Sequence, residues 1–166
     1  MTLVIGSDHA GFDLKEFLKG YLSDEGYEIV DIGTSSKESC DYPDIAKEMA
    51  NYIEKNPEAT GILICGTGIG MSIAINRYKH IRASLLYSPE SAKLTREHNN
   101  ANVAVLGARS FSNKENLDFL KVFLTTPFSN DERHQRRVEK ISQWIINLIF
   151  SKKKGKRGRN GKFFQR

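Results

Sequence analysis

The chain has 166 residues, 39% of them apolar and 27% charged, with a formal charge of +5 and two cysteines. That length suits one domain with a substantial core, and two cysteines rule out a disulfide framework or a zinc spacing. The charge is uneven: the last sixteen residues, SKKKGKRGRNGKFFQR, hold eight Lys or Arg and no acid, so residues 1–150 carry 17 basic against 20 acidic groups, a net −3.

The amino terminus, MTLVIGSDHAG, has no basic segment ahead of a long apolar run, so it reads as a first strand, Leu3 to Ser7, and not as a signal peptide. Leu14, Phe17, Leu18, Tyr21 and Leu22 then recur at helical spacing, and Gly26 suits the residue just past the helix end. A strand over Glu28 to Asp31 and a helix near Asp44 to Glu54, with Ile45, Met49 and Ile53 on one face, come next. Ile62 to Cys65 is a short apolar run of the kind that forms a buried parallel strand, and an apolar helix follows its glycines. The longest weakly polar stretch, Gly61 to Ile75, is shorter than the roughly 20 residues a membrane span needs. Ala83 to Tyr87 reads as a fourth strand, Pro89 opens a helix through about His98, Asn102 to Leu106 is a fifth strand, and Asn113 suits the cap of the next helix. A last helix, roughly Arg133 to Phe150, sets Val138, Ile141, Trp144, Ile145, Leu148 and Ile149 on one stripe, long enough to meet a second subunit. This alternation predicts an α/β domain with a parallel sheet.

The stretch GILICGTGIGMS, residues 61–72, says most about chemistry. Gly66, Gly68 and Gly70 permit positive φ and close approach, so successive N–H groups can face one anion, helped by the helix start that follows. Cys65 at the edge of such a loop is placed to act as a thiolate base or nucleophile; a buried structural cysteine beside a tight turn fits the same spacing. The loop is neither a dinucleotide fingerprint, which reads G-x-G-x-x-G after the first strand, nor a P-loop, which ends in Gly-Lys-Ser/Thr. Ligands of open parallel sheets bind outside the carboxyl ends of the strands. Ser7, Asp8 and His9, the glycine loop, and His98, Asn99 and Asn100 at the end of the helix before strand five are all expected at that edge. His9, His80, His98 and His134 show no ligand spacing, so no metal is required. Arg133 and Arg137 are four apart, which suits two guanidiniums on one phosphate and equally a solvated helix face. The basic tail 151–166 reads as disordered, either an RNA or acidic-surface contact or, more commonly for a charge run, a solvated extension.

Taken together, GSDHAGF (6–12), DYPD (41–44), ICGTGIGMS (64–72), REHNNANV (96–103) and RHQRRV (133–138) closely resemble the type B ribose-5-phosphate isomerases, within the family that includes galactose-6-phosphate isomerase subunits. The resemblance covers about residues 1–150, taken as one isomerase domain, and leaves out the tail. It implies a doubly wound, Rossmann-like, five-stranded parallel sheet in a three-layer αβα sandwich. It also implies a homodimer, sometimes paired into a tetramer, with sites at the subunit boundary and no metal; the sparse cysteines point to the cytoplasm, and proton transfer by a thiolate needs no cofactor. The implied activity interconverts ribose 5-phosphate and ribulose 5-phosphate, a step of the pentose phosphate pathway; a 6-phosphate hexose isomerase, for allose or galactose 6-phosphate, is the alternative. By resemblance Cys65 is the base between C1 and C2. Gly66, Thr67, Gly68, Ile69 and Gly70 hold the enediolate oxyanion. His98, facing Cys65 from the partner subunit and aided by Asp8, opens the furanose. Tyr42 and Asn99 position hydroxyls, and His9, Arg109, Arg133 and Arg137 hold the phosphate.

Overall fold

Every apolar run read as a strand pairs in parallel with a neighbour. In the computed structural model, which describes residues 1–142, the strands are β1 (Thr2–Ser7), β2 (Glu28–Asp31), β3 (Thr60–Cys65), β4 (Ala83–Leu85) and β5 (Val103–Gly107). The helices between and after them are α1 (Phe12–Asp24), α2 (Tyr42–Lys55), α3 (Ile69–Ile75), α4 (Pro89–Asn99) and α5 (Asn113–Thr125). The sheet order is β2-β1-β3-β5-β4, with Ile5 opposite Ile62 and Cys65 opposite Gly107. This is the five-stranded parallel α/β sheet expected.

Side-chain alternation divides the strand residues between two apolar layers. Leu3, Ile5, Ile62, Ile64, Ala104 and Leu106 pack with Leu14, Leu18 and Leu22 of α1 and Leu117, Leu120 and Phe123 of α5. Val4, Leu63, Cys65, Val103 and Val105 pack with Met49, Ala50 and Ile53 of α2 and Met71 and Ile75 of α3. Burial on both faces is why β1, β3 and β5 read as continuous apolar runs, and each buried Leu or Ile contributes about 1.5–3 kcal/mol.

Local chemistry sets the element ends. Gly26, at φ +83°, terminates α1: its N–H meets Ser23 O at 3.0 Å, and the Tyr27 N–H meets Leu22 O at 3.1 Å. β4 stops two residues short of the expected Tyr87, because the Tyr87 and Ser88 N–H groups both turn to Ser91 Oγ at 3.1 Å, where a capping box opens α4. Asn113 is the first residue of α5 and not its cap. Ser112 caps it, its hydroxyl accepting the Glu115 N–H at 3.2 Å while the Glu115 carboxylate accepts the Ser112 N–H at 2.8 Å.

Residues Met1–Asn130 form one compact unit, and a second begins at Asp131, with a helix over residues 132–142. The rest of the expected last helix and the basic tail lie outside the described residues. Among the described residues, no helix is long and apolar enough to cross a membrane.

Candidate active site

In this strand order the crevice between the carboxyl ends of β1 and β3 is where adjacent connections diverge, the usual place for a ligand. From β1, the Asp8 N–H crosses to Ile64 O at 3.2 Å, and its buried carboxylate accepts the Gly11 N–H at 3.0 Å, capping a 3-10 turn over His9–Gly11. Gly11 lets this turn lie on β3: a Cβ there would stand 2.8 Å from the Ile64 carbonyl oxygen. His9 is fixed in turn by a residue 31 positions on, since its Nδ1 accepts the Cys40 N–H at 3.3 Å.

From β3, Cys65 is 5% exposed, and its Sγ accepts the Gly68 N–H at 3.1 Å. Gly68 has φ +78°, and a Cβ on it would sit 2.3 Å from Leu85 Cδ1, so the turn that aims its N–H at the sulfur needs glycine. The next amide, that of Ile69, donates to Thr67 Oγ1 at 3.3 Å. Two amides of the expected anion nest are therefore engaged within the loop, one of them on the sulfur itself. The Ala108 N–H on Cys65 O at 2.9 Å and the Arg109 N–H on Gly66 O at 2.8 Å tie the loop to the end of β5.

Two side chains close over this loop. The Tyr42 ring, on the first residue of α2, crosses Gly70, whose Cβ would be 2.8 Å from Cζ and 3.1 Å from the hydroxyl oxygen. The Arg109 guanidinium spans Gly66, whose Cβ would lie 3.6 Å from Nη1. Asp8, His9, Tyr42, Cys65, Gly66, Thr67, Gly68, Ile69, Gly70 and Arg109 thus gather around one crevice. The sequence reading missed two supports of it. Gly107, where a Cβ would meet Thr67 O at 2.8 Å, was visible only as a glycine ending a strand. The Cys40 N–H on His9 had no signal at all.

His98 and Asn99 are not at this edge, contrary to the expectation that the helix before β5 ends beside the thiol. In a parallel sheet each connecting helix runs back from the carboxyl edge to the amino edge, and α4 delivers its last residues to the start of β5. Asn102, just beyond them, accepts the Gly61 N–H on its carbonyl at 2.9 Å. Gly61 lies four residues before Cys65 on β3, about 13 Å along the strand. Arg133 and Arg137 lie on the helix over residues 132–142, four apart and both exposed; the Arg133 N–H donates to Asp131 Oδ1 at 3.0 Å.

A second charged group occupies the carboxyl end of β2. Asp31 Oδ2 is 2.5 Å from the Nζ of buried Lys15 and 2.6 Å from that of Lys19, and Glu16 pairs with both lysines at 3.0 Å. Burial pushes the Asp31 carboxyl up, but the two ammonium groups and the Gly33 N–H outweigh it and hold it below its ordinary value.

The chain is similar to proteins of known kind over nearly all the described residues. A family model described as Ribose/Galactose Isomerase matches residues 3–141. Ribose-5-phosphate isomerase B of Clostridium thermocellum superposes with a TM-score of 0.86 at 39% identity, covering 89% of this chain and 99% of that one. A ribose 5-phosphate isomerase of Thermotoga maritima is 49% identical, with a TM-score of 0.83 over 86% of this chain and 97% of that one. Ribose-5-phosphate isomerase B of Mycoplasma genitalium, solved with bound ribulose 5-phosphate, is 38% identical, with a TM-score of 0.83 over 87% and 96% of the two chains.

Proposed function

Since the chain belongs to the ribose/galactose isomerase family, we propose that it interconverts D-ribose 5-phosphate and D-ribulose 5-phosphate with Cys65 as the base. The observation that carries this reading is the Cys65 sulfur held on the Gly68 N–H in the crevice between β1 and β3. Bound ribulose 5-phosphate in the relative from Mycoplasma genitalium favours the pentose over a hexose.

The reaction needs the furanose opened, one proton moved between adjacent carbons and the far end of the sugar anchored. His98 gives a proton to the ring oxygen while the C1 hydroxyl, near Asp8, gives one up, and the C1 to ring-oxygen bond breaks to leave an aldehyde. The Cys65 thiolate then removes the C2 proton, and the electron pair shifts through C1 onto the aldehyde oxygen. That enediolate oxyanion is held by the loop of residues 66–70, with Thr67 beside it, on amides other than those of Gly68 and Ile69, which Cys65 Sγ and Thr67 Oγ1 already engage; a well-placed donor contributes about 3 kcal/mol. The O2 proton passes to O1, and Cys65 returns its proton to C1, leaving the ketone at C2. Every step is redox-neutral, so the chemistry asks for no electron carrier. Tyr42 and Asn99 orient hydroxyls, and His9, Arg109, Arg133 and Arg137 take the phosphate, supplying binding energy away from the reacting carbons.

His98 acts from a second copy of the chain. The separation of the α4 terminus from Cys65 supports a shared site, and so does an apolar pair beside the loop. Ile69 and Ile73, one turn apart on α3, are 56% and 65% exposed, as fits a face that meets another protomer. Action in the cytoplasm agrees with two free cysteines. The test is a coupled assay on ribose 5-phosphate, allose 6-phosphate and galactose 6-phosphate. The pentose should give the highest kcat/KM, and preference for a hexose would replace this assignment.

A further inference from the structure

His98 and Asn99 stand on the last turn of α4, and an unusual pair of cations secures that turn. Asn100 follows in the left-handed conformation, φ 46° and ψ 46°, with its N–H on Arg96 O at 3.2 Å. Its own carbonyl accepts Arg82 Nε at 2.9 Å. The Arg82 backbone holds the same corner: its N–H donates to Asn102 Oδ1 at 2.8 Å, and its carbonyl accepts the Asn102 N–H at 3.0 Å. Asn102 Nδ2 continues to His80 O at 2.9 Å. From the other side, Arg96 donates to Ala101 O and to Thr126 O, with its guanidinium 5.4 Å from the centre of the Phe123 ring.

Among the described residues, neither Arg82 nor Arg96 is paired with a carboxylate. Burial pushes both guanidiniums below their ordinary pKa, and for Arg82 the neighbouring Arg96 adds to it. Two partly buried like charges side by side are a poor device for stability alone. What they achieve is to satisfy carbonyls at the negative end of α4, fixing the turn that carries His98.

We propose that Arg82 is a positioning residue for His98, fixing through the Asn100 carbonyl where the imidazole stands when it meets the substrate held by the second copy. The inference rests on the reading of His98 as the group that opens the ring. Arg82 touches no substrate and acts only through the α4 terminus.

The test separates ring opening from proton transfer. Ribulose 5-phosphate is open-chain, so deuterium entry at its C1 from D2O needs Cys65 and the glycine loop but no ring step. Arg82→Met should lower kcat on ribose 5-phosphate by about 10- to 100-fold, the scale of a displaced catalytic group, with little change in KM and unchanged deuterium exchange. In a His98→Asn background, Arg82→Met should add no further loss. Arg82→Lys, which keeps charge and one donor, should show a smaller loss with the same dependence on His98, and it serves if the Met variant does not fold. Wild-type turnover in both variants, an equal fall in exchange, or the same further loss without His98 would each overturn the proposal. Full turnover in His98→Asn alone would remove the ring-opening role of His98 and this inference with it, whereas a disabled His98→Asn beside an indifferent Arg82 variant would remove only the inference.

Discussion

Gly68→Ala probes whether the backbone turn at the glycine loop is what holds the Cys65 sulfur. Gly68 sits at φ +78°, where a side chain costs about 1–2 kcal/mol. The added Cβ would also lie 2.3 Å from Leu85 Cδ1 and 3.2 Å from Leu106 O, and overpacking of that kind typically costs about 1–3 kcal/mol. The variant should therefore lose about 2–5 kcal/mol in urea unfolding at fixed protein concentration. Relief of the clash moves the Gly68 N–H off Cys65 Sγ, so kcat should also fall at least about tenfold in the population that remains folded. Gly20→Ala is the control. Gly20 lies inside α1 with nothing within 4 Å of its Cβ position, so alanine there should stabilise by about 0.5–1 kcal/mol and leave kcat alone. Stability of Gly68→Ala within about 0.5 kcal/mol of wild type, with kcat intact, would refute the reasoning.

Cys65→Ala should abolish turnover while ribulose 5-phosphate still binds in calorimetry, because the anchors lie elsewhere; a variant with wild-type kcat would remove Cys65 as the base. Arg137→Ala should chiefly raise KM, since a phosphate contact exists in ground and transition states alike, and inorganic phosphate should inhibit it less than wild type. The Asp31 cluster gives a pH signature. Its folded pKa is lowered, so its stabilisation is complete above the unfolded value of about 4 and is lost as pH falls through the folded value. Between pH 7 and about pH 3 the Tm of wild type should therefore fall more than that of Asp31→Asn; parallel curves would show that the lysines do not stabilise this carboxylate.

β1, β3 and β5 were legible because both their faces are buried, which turns each into an apolar run bounded by polar residues, whereas β2 and β4 are short and only partly buried. Cys65 and its glycines were legible for a related reason: a chain that must turn sharply after a buried strand advertises it in glycine. Helix direction was not read. His98 and Asn99 were set beside Cys65 because both groups end an element, although a helix between parallel strands must return to the opposite edge. The cap of α5 was misread by one residue even though Ser112 and Glu115 carry the capping-box spacing. The contact of Cys40 with His9, and the burial of Lys15 against Asp31, join residues 31 and 16 positions apart. No local periodicity encodes such pairs, so only the fold reveals them.

The most direct measurement asks whether one site needs two chains. Cys65→Ala and His98→Asn chains are each expected to be nearly inactive; co-expressed with random assortment, half the dimers would be mixed, each with one intact and one doubly altered site. Roughly a quarter of all sites should recover, as two-fold pairing requires. Isolated mixed dimers that are no more active than the parent variants would contradict the account and return both residues to a single chain.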